Sequence, residues 1–191
     1  MTDWLNRLRG TLEPILAKDD PRPDISAYRE MPLCIFRYPP AAEFALRQEL
    51  ALLKTRLEQR NKRITIISLM DCMQAALAAH APVQNLVEAE RDLGHKTVSQ
   101  TIHQVLSEYA PLDQIVLGRI PGDAEPYRDI IWFTRTGALF PVYRTSTLLE
   151  HFQGKLVAPG VLFFPGELEG PAGLRFMGIH EPEHNYRARI Y

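Results

Sequence analysis

Two short apolar segments, Pro32 to Tyr38 (PLCIFRY) and Arg63 to Leu69 (RITIISL), are separated by one long helical stretch, and this arrangement limits the folds open to the chain more than any other feature. Pro39-Pro40 ends the first segment, and Leu46, Leu50, Leu53 and Leu57 then recur at the spacing that lines one face of a helix from Ala41 to about Arg60. After the polar turn Gln59 to Lys62, the β-branched residues of the second segment predict another strand. A strand, a helix and a strand in that order make a crossover unit, which requires the two strands to run parallel. The predicted class is therefore α/β, with helices on both faces of a mostly parallel sheet.

The remaining elements fit this frame. Trp4, Leu8, Leu12 and Ile15 give residues 3–18 an amphipathic helix, and the connector from Lys18 to Asp24 breaks it with two prolines and three aspartates. Asp71 stands at the N-cap position expected for the helix DCMQAALAAH, and helices over Val83 to Leu93 and Thr97 to Tyr109 are joined through Gly94. Leu112 to Ile120 suits either a strand or a helix, and helix is preferred. Ile130 to Thr134 is the third strand, Pro141 to Gln153 a helix opened by its proline, and Val161 to Phe164 the fourth strand. Leu174 to Ile179 is the fifth, expected to pair antiparallel with the fourth. The expectation is a single three-layer α/β/α domain over residues 1–191, with a Rossmann-like sheet of about five strands. Residues 1–24 supply an N-terminal helix and connector, and residues 71–120 a helical insertion.

Composition narrows function by exclusion. The chain has 191 residues, 46% of them apolar, and a formal charge of −1, so no global field draws it to DNA or to an anionic membrane. No run reaches the roughly 20 apolar residues of a membrane span. The two cysteines, Cys34 and Cys72, lack partners at metal spacing and read as reduced thiols of a cytoplasmic protein.

Ligands of open parallel sheets meet the loops beyond the strand carboxyl ends, here Pro39-Pro40, Asp71, Thr134 to Gly137 and Pro165 to Glu167. In TRTGALFPVYRTS, backbone donors at Thr136 and Gly137 together with Arg135 and Arg144 form a candidate anion site, and Pro165 and Gly166 complete the rim. A plain strand-to-helix turn explains the same residues, and the phosphate loop GxxxxGK[ST] is absent. HEPEH, His180 to His184, has the letters of a zinc-protease motif, but Pro182 between the histidines opposes the helix that such a site needs, so neither metal nor cofactor is expected. Lys54, Arg56, Arg60, Lys62 and Arg63 offer a local basic patch, with Arg187 and Arg189 near Tyr186 and Tyr191 as a second, against the ordinary reading of solvated helix end and tail. Ser68 and Ser146 lack a nucleophile elbow, and no catalytic set is predicted.

The stretches FTRTGALFPVYRTSTLLEHF, VLFFPGELEG, LRFMGI and NYRARIY together resemble the BrxB family of BREX bacteriophage-exclusion systems. The YPP turn, the long charged helix and the strand leading to Asp71 are similar to that family's N-terminal half, while residues 72–125 match only in helical character. The resemblance implies a small cytoplasmic, non-enzymatic component of an anti-phage operon, working beside a methyltransferase, a large ATPase and the phosphatase-like protein PglZ. PglZ is the partner it implies. Arg135, Gly137, Pro141, Arg144, Pro165 and Gly166 enter as matched motif positions, with no catalytic role carried over. A nucleotide- or anion-binding module and a nucleic-acid-binding accessory subunit are the alternatives.

Overall fold

A computed structural model of the chain describes residues 3–26, 31–80, 83–184 and 186–191. Strands β1 (Leu33–Tyr38), β2 (Arg63–Ser68), β3 (Asp129–Thr134), β4 (Gly160–Glu169), β5 (Gly173–Phe176) and β6 (Arg189–Ile190) form one sheet in the order β2-β3-β4-β1-β6, with β5 paired to the far end of β4. The pairings β2–β3, β3–β4, β4–β1 and β1–β6 are parallel, and the β4–β5 hairpin is antiparallel. Fold class and hairpin agree with the sequence reading.

Helices cover both faces. The N-terminal helical rod runs as α1 (Asp3–Arg7), a π turn (Leu8–Leu12) and α2 (Glu13–Leu16), followed by the short α3 (Arg22–Ile25) inside the expected connector. It shares one face with α4 (Glu43–Glu58). There Leu8, Leu12, Leu46, Leu50, Leu53 and Leu57 pack on Cys34, Phe36, Trp132, Val161 and Phe163. The opposite face carries α5 (Leu69–His80), the π turn (Val105–Tyr109) that follows α6 (Val83–Leu93) and α7 (His95–Gln104), α8 (Leu112–Leu117) and α9 (Thr145–Glu150), with α6 packing on α7 and adding none of its described residues to the core. Ile35, Ile131, Phe133, Leu162 and Phe164 point into that second core, beside Leu106, Val116, Leu148 and Phe152. Alternate residues of β1, β3 and β4 thus enter opposite cores, as the two-residue strand period demands of a sheet buried on both faces.

Several local expectations change. The described residues form six strands where about five were expected, because the C-terminal tail returns to the sheet: Arg189 and Ile190 pair with Cys34 and Ile35. The helix read from Pro141 starts only at Thr145; Pro141 follows a cis peptide bond, and a 3-10 turn (Thr136–Leu139) fills the space after β3. Asp71 lies within the first turn of α5, and the cap is Ser68, whose Oγ accepts the Asp71 N–H at 3.2 Å. The fifth strand stops at Phe176, since Met177 adopts a left-handed backbone with φ 54°. Leu112 to Leu117 is helical as preferred, and Gly94 joins α6 to α7 with φ 83°.

Candidate functional site

The connection leaving β1 passes over one face of the sheet through α4, whereas those leaving β2 and β3 pass over the other. Because β1 and β4 are adjacent, the loops diverge at the carboxyl ends of the sheet beside them and open a crevice there. A cleft of about 370 Å³ occupies this position, lined by Pro40, Met70, Arg135, Gly137, Pro165 and Met177, with Glu43 and Arg47 of α4 on one side. Four strand ends read separately from the sequence meet in it.

Arg135 takes a left-handed backbone at the end of β3 (φ 60°, ψ 31°). Gly137 lies against the β4–β5 hairpin, where a Cβ would meet Met177 Sδ and Pro165 Cγ at 3.4 Å, an ordinary contact distance. The Arg135 guanidinium points along the cleft to Met70 Sδ. Across from it, Glu43 accepts hydrogen bonds from the Tyr38 hydroxyl and from Arg47 Nε, the latter at 2.7 Å. Burial, reinforced by Glu43, pushes the Tyr38 hydroxyl far above its ordinary pKa, so it stays a neutral donor. Thr136 is fully buried, and its Oγ1 has no hydrogen-bond partner among the described residues.

The residues proposed for one anion site do not converge. Arg144 is largely exposed and pairs with Glu183 at 3.5 Å, whereas Arg135 faces Met70. Glu183 also accepts from the Tyr186 hydroxyl at 3.3 Å, and that hydroxyl lies 2.9 Å from Thr145 Oγ1, so Arg144 belongs to a network that fastens the C-terminal segment. The HEPEH segment is not helical. His180 packs edge-on against Phe140, Glu183 bridges to Leu174, and no cluster of metal-ligating side chains occurs among the described residues.

The basic helix end is electrically occupied. Arg56 binds Glu13 and Glu49 at 2.8 Å each, Lys54 pairs with Glu58, and Arg63 holds Asp123 and Asp129. Lys62 is buried and donates to the carbonyls of Lys18, Asp19 and Tyr127. Arg60 lines a separate cleft with Arg9 and Arg56. In the tail, Arg189 donates to the Asp24 carbonyl, while Arg187 is exposed. Asn185 of the NYRARIY stretch lies outside the described residues.

The sequence reading missed the contributions of Glu43, Arg47, Met70 and Met177 to the cleft. The Glu43–Arg47 pair, four residues apart at the start of α4, was a readable signal; nothing in the sequence marked the methionines. Exposed apolar side chains stand among these charges: Phe44 in α4 is 74% exposed, Ile179 after β5 72% and Leu168 within β4 39%. Among the described residues no helix is long and apolar enough to cross a membrane.

Residues 65–190 match the family model described as "BREX protein BrxB". Across nearly the whole length, the chain is similar to BREX protein BrxB of Bacillus cereus (strain H3081.97), with 25% identity over 189 residues, 96% of this chain and 97% of that protein. No solved structure matches the chain. With a family match over about two thirds of its length, taking in the Met70, Arg135 and Pro165 side of the cleft, the hairpin and the returning tail, the chain belongs to the BrxB family of BREX bacteriophage-exclusion systems.

Proposed function

We propose that the protein is a non-catalytic assembly subunit of its BREX system and docks a larger operon protein, the phosphatase-like PglZ, through the rim at the strand carboxyl ends. The observation that carries this reading is the rim surface itself. Phe44, Leu168 and Ile179 are exposed on elements that also carry the cleft, where Glu43 is matched by Tyr38 and Arg47 and Arg135 meets only the Met70 thioether. Exposed apolar side chains ringed by polar ones suit a protein interface better than a catalytic pocket, which needs titratable groups converging on a reacting atom. A patch of ordinary interface size, about 800 Å² per partner, fits this edge.

Nucleotide binding at the TRTGALFP turn is less well supported, since Arg135 and Arg144 engage different neighbours. Nucleic-acid binding through Lys54, Arg56, Lys62 and Arg63 would require breaking ion pairs and buried hydrogen bonds already made. The test is co-purification from cells expressing the whole operon. A tagged copy should retain PglZ, and Met177→Asp or Phe44→Asp should release it; a tagged protein that retains no operon product contradicts the reading.

A further inference from the structure

Arg37 interrupts the apolar strand β1 close to the same rim. Its backbone is fully engaged, the N–H donating to the Tyr191 carbonyl at 3.0 Å and the carbonyl accepting from Arg7 Nη2 at 3.2 Å. Its guanidinium is half-buried and makes no hydrogen bond or ion pair among the described residues. Burial, and then the neighbouring positive charge of Arg7, both disfavour the ionised form, with only longer-range relief from Asp3 and Glu167. Arg7 is itself incompletely matched. Its Nε donates to Asp3 at 3.0 Å and the guanidinium lies over the Phe36 ring at 5.4 Å, but Nη1 is enclosed with no acceptor.

Both arginines line a cleft of about 740 Å³, walled by Trp4, Pro39 and Leu168 and closed by Gly166 and Glu167 of the β4–β5 hairpin. A half-buried charge without a counter-ion is a cost to the folded chain, and it is removed when a partner supplies the opposite charge. We infer that this cleft receives a carboxylate side chain, carried on an acidic segment of the partner protein and seated against Arg37 beside Arg7. The inference rests on the docking reading above and adds the chemistry of what docks.

Charge decides between carboxylate and phosphate. Arg7 and Arg37 face two carboxylates, Asp3 and Glu167, so the cleft is balanced overall, but Asp3 is engaged by Arg7 and the exposed Glu167 makes no ion pair among the described residues, which leaves the Arg37 guanidinium open to one singly charged group in direct contact. A carboxylate supplies that. A dianionic phosphate would leave excess negative charge against Asp3 and Glu167 in a partly desolvated site. The apolar walls at Trp4, Pro39 and Leu168 suit the side chains flanking an acidic residue in a peptide, and give a free inorganic ion nothing to contact.

Three measurements test the site. In nitrogen-15 spectra of the full chain, acetate should shift the Arg37 Nε signal more than inorganic phosphate does at matched ionic strength; no response to acetate, or a larger one to phosphate, overturns the assignment. Arg37→Met should leave the melting temperature unchanged or raise it, because it removes an unmatched charge; a fall of several degrees shows a structural arginine and overturns the premise. In co-purification from the whole operon, Arg37→Met should lower partner recovery by about tenfold, the loss typical of one interface anchor, and Arg37→Lys should restore part of it. Full recovery with Arg37→Met alongside loss with Met177→Asp overturns the carboxylate site alone. Absence of partner with the wild-type protein overturns the docking reading, and the partner assignment with it.

Discussion

Arg63 at the first position of β2 holds Asp129 at the first position of β3 through two guanidinium nitrogens, with Nη2 and Oδ2 2.9 Å apart. Asp129 is fully buried, and it also accepts the Glu125 N–H at 2.7 Å. This clamp fixes the register of the edge strand and the entry of the chain into β3. Asp129→Asn keeps the shape but removes the charge, and should lower unfolding stability by about 2 kcal/mol, the scale of hydrogen bonds to a charged group. Urea denaturation measures it.

The same carboxylate sets an acid limit. Burial alone would raise the Asp129 pKa, but the hydrogen bonds from Arg63 and the Glu125 N–H outweigh it and hold it below the usual range; Glu49 is likewise held low, chiefly by Arg9 and then by Arg56. A depressed carboxylate stabilises the fold above its unfolded pKa of about 4, and that contribution disappears as pH falls through the folded value. These two groups should therefore make stability flat from about pH 7 to 5 and decreasing below about 4. In Asp129→Asn the acid decrease should be shallower, as a pH series of denaturation midpoints would show.

Glu49 ties the N-terminal rod to α4. It accepts from Arg9 Nε at 2.9 Å and Arg56 Nη2 at 2.8 Å while only 6% exposed. Glu49→Ala leaves two arginines without their shared acceptor, and should speed amide exchange over residues 3–16 more than elsewhere. Global stability should fall by about 2 kcal/mol.

Gly166 must be glycine on steric grounds, whereas Gly137 need not be. A Cβ on Gly166 would lie 2.4 Å from the Arg175 carbonyl oxygen and 2.5 Å from Phe164 Cε1, both within the paired hairpin. Gly166→Ala should cost about 2–3 kcal/mol through forced backbone movement, whereas Gly137→Ala meets ordinary contact distances and should stay within about 0.5 kcal/mol. Thermal unfolding of the two variants distinguishes them.

Thr136→Val should be stabilising. The buried Oγ1 has no partner, and an isosteric methyl removes an unmet polar group, for a gain of about 1 kcal/mol. A loss of stability in urea would mean that the hydroxyl is satisfied in solution.

What could be read from the sequence was whatever local periodicity encodes over several residues. The leucine stripe at Leu46, Leu50, Leu53 and Leu57 and the β-branched run from Ile64 to Ile67 established the crossover, and from it the rim at Pro40, Arg135 and Pro165. β6 was not legible: two paired residues, one of them the exposed Arg189, carry no period, and the pairing is decided by distant Cys34 and Ile35. Nor was the helix start at Thr145. Proline at Pro141 imitates a first-turn residue, but the chain makes a turn there, closed by the Tyr143 N–H donating to the Leu139 carbonyl, and is extended at Arg144 before the helix begins. Arg144 reads as an anion ligand beside Arg135, yet its ion pair with Glu183 depends on how the C-terminal segment folds back. Charge pairing across the fold also escaped the reading, since Arg56 and Glu13 are 43 positions apart. Arg37 was visible as a charge inside an apolar strand, a rare position for arginine and a signal in its own right.

The rim at the strand carboxyl ends should be the surface that meets the partner. Amide exchange should be compared between the free protein and its complex purified from the operon. Protection is expected to concentrate over residues 37–47, 135–140 and 165–179, with α6 and α7 unchanged. Protection confined to α6, α7 or the basic end of α4, with those rim segments exchanging as freely as before, would contradict it.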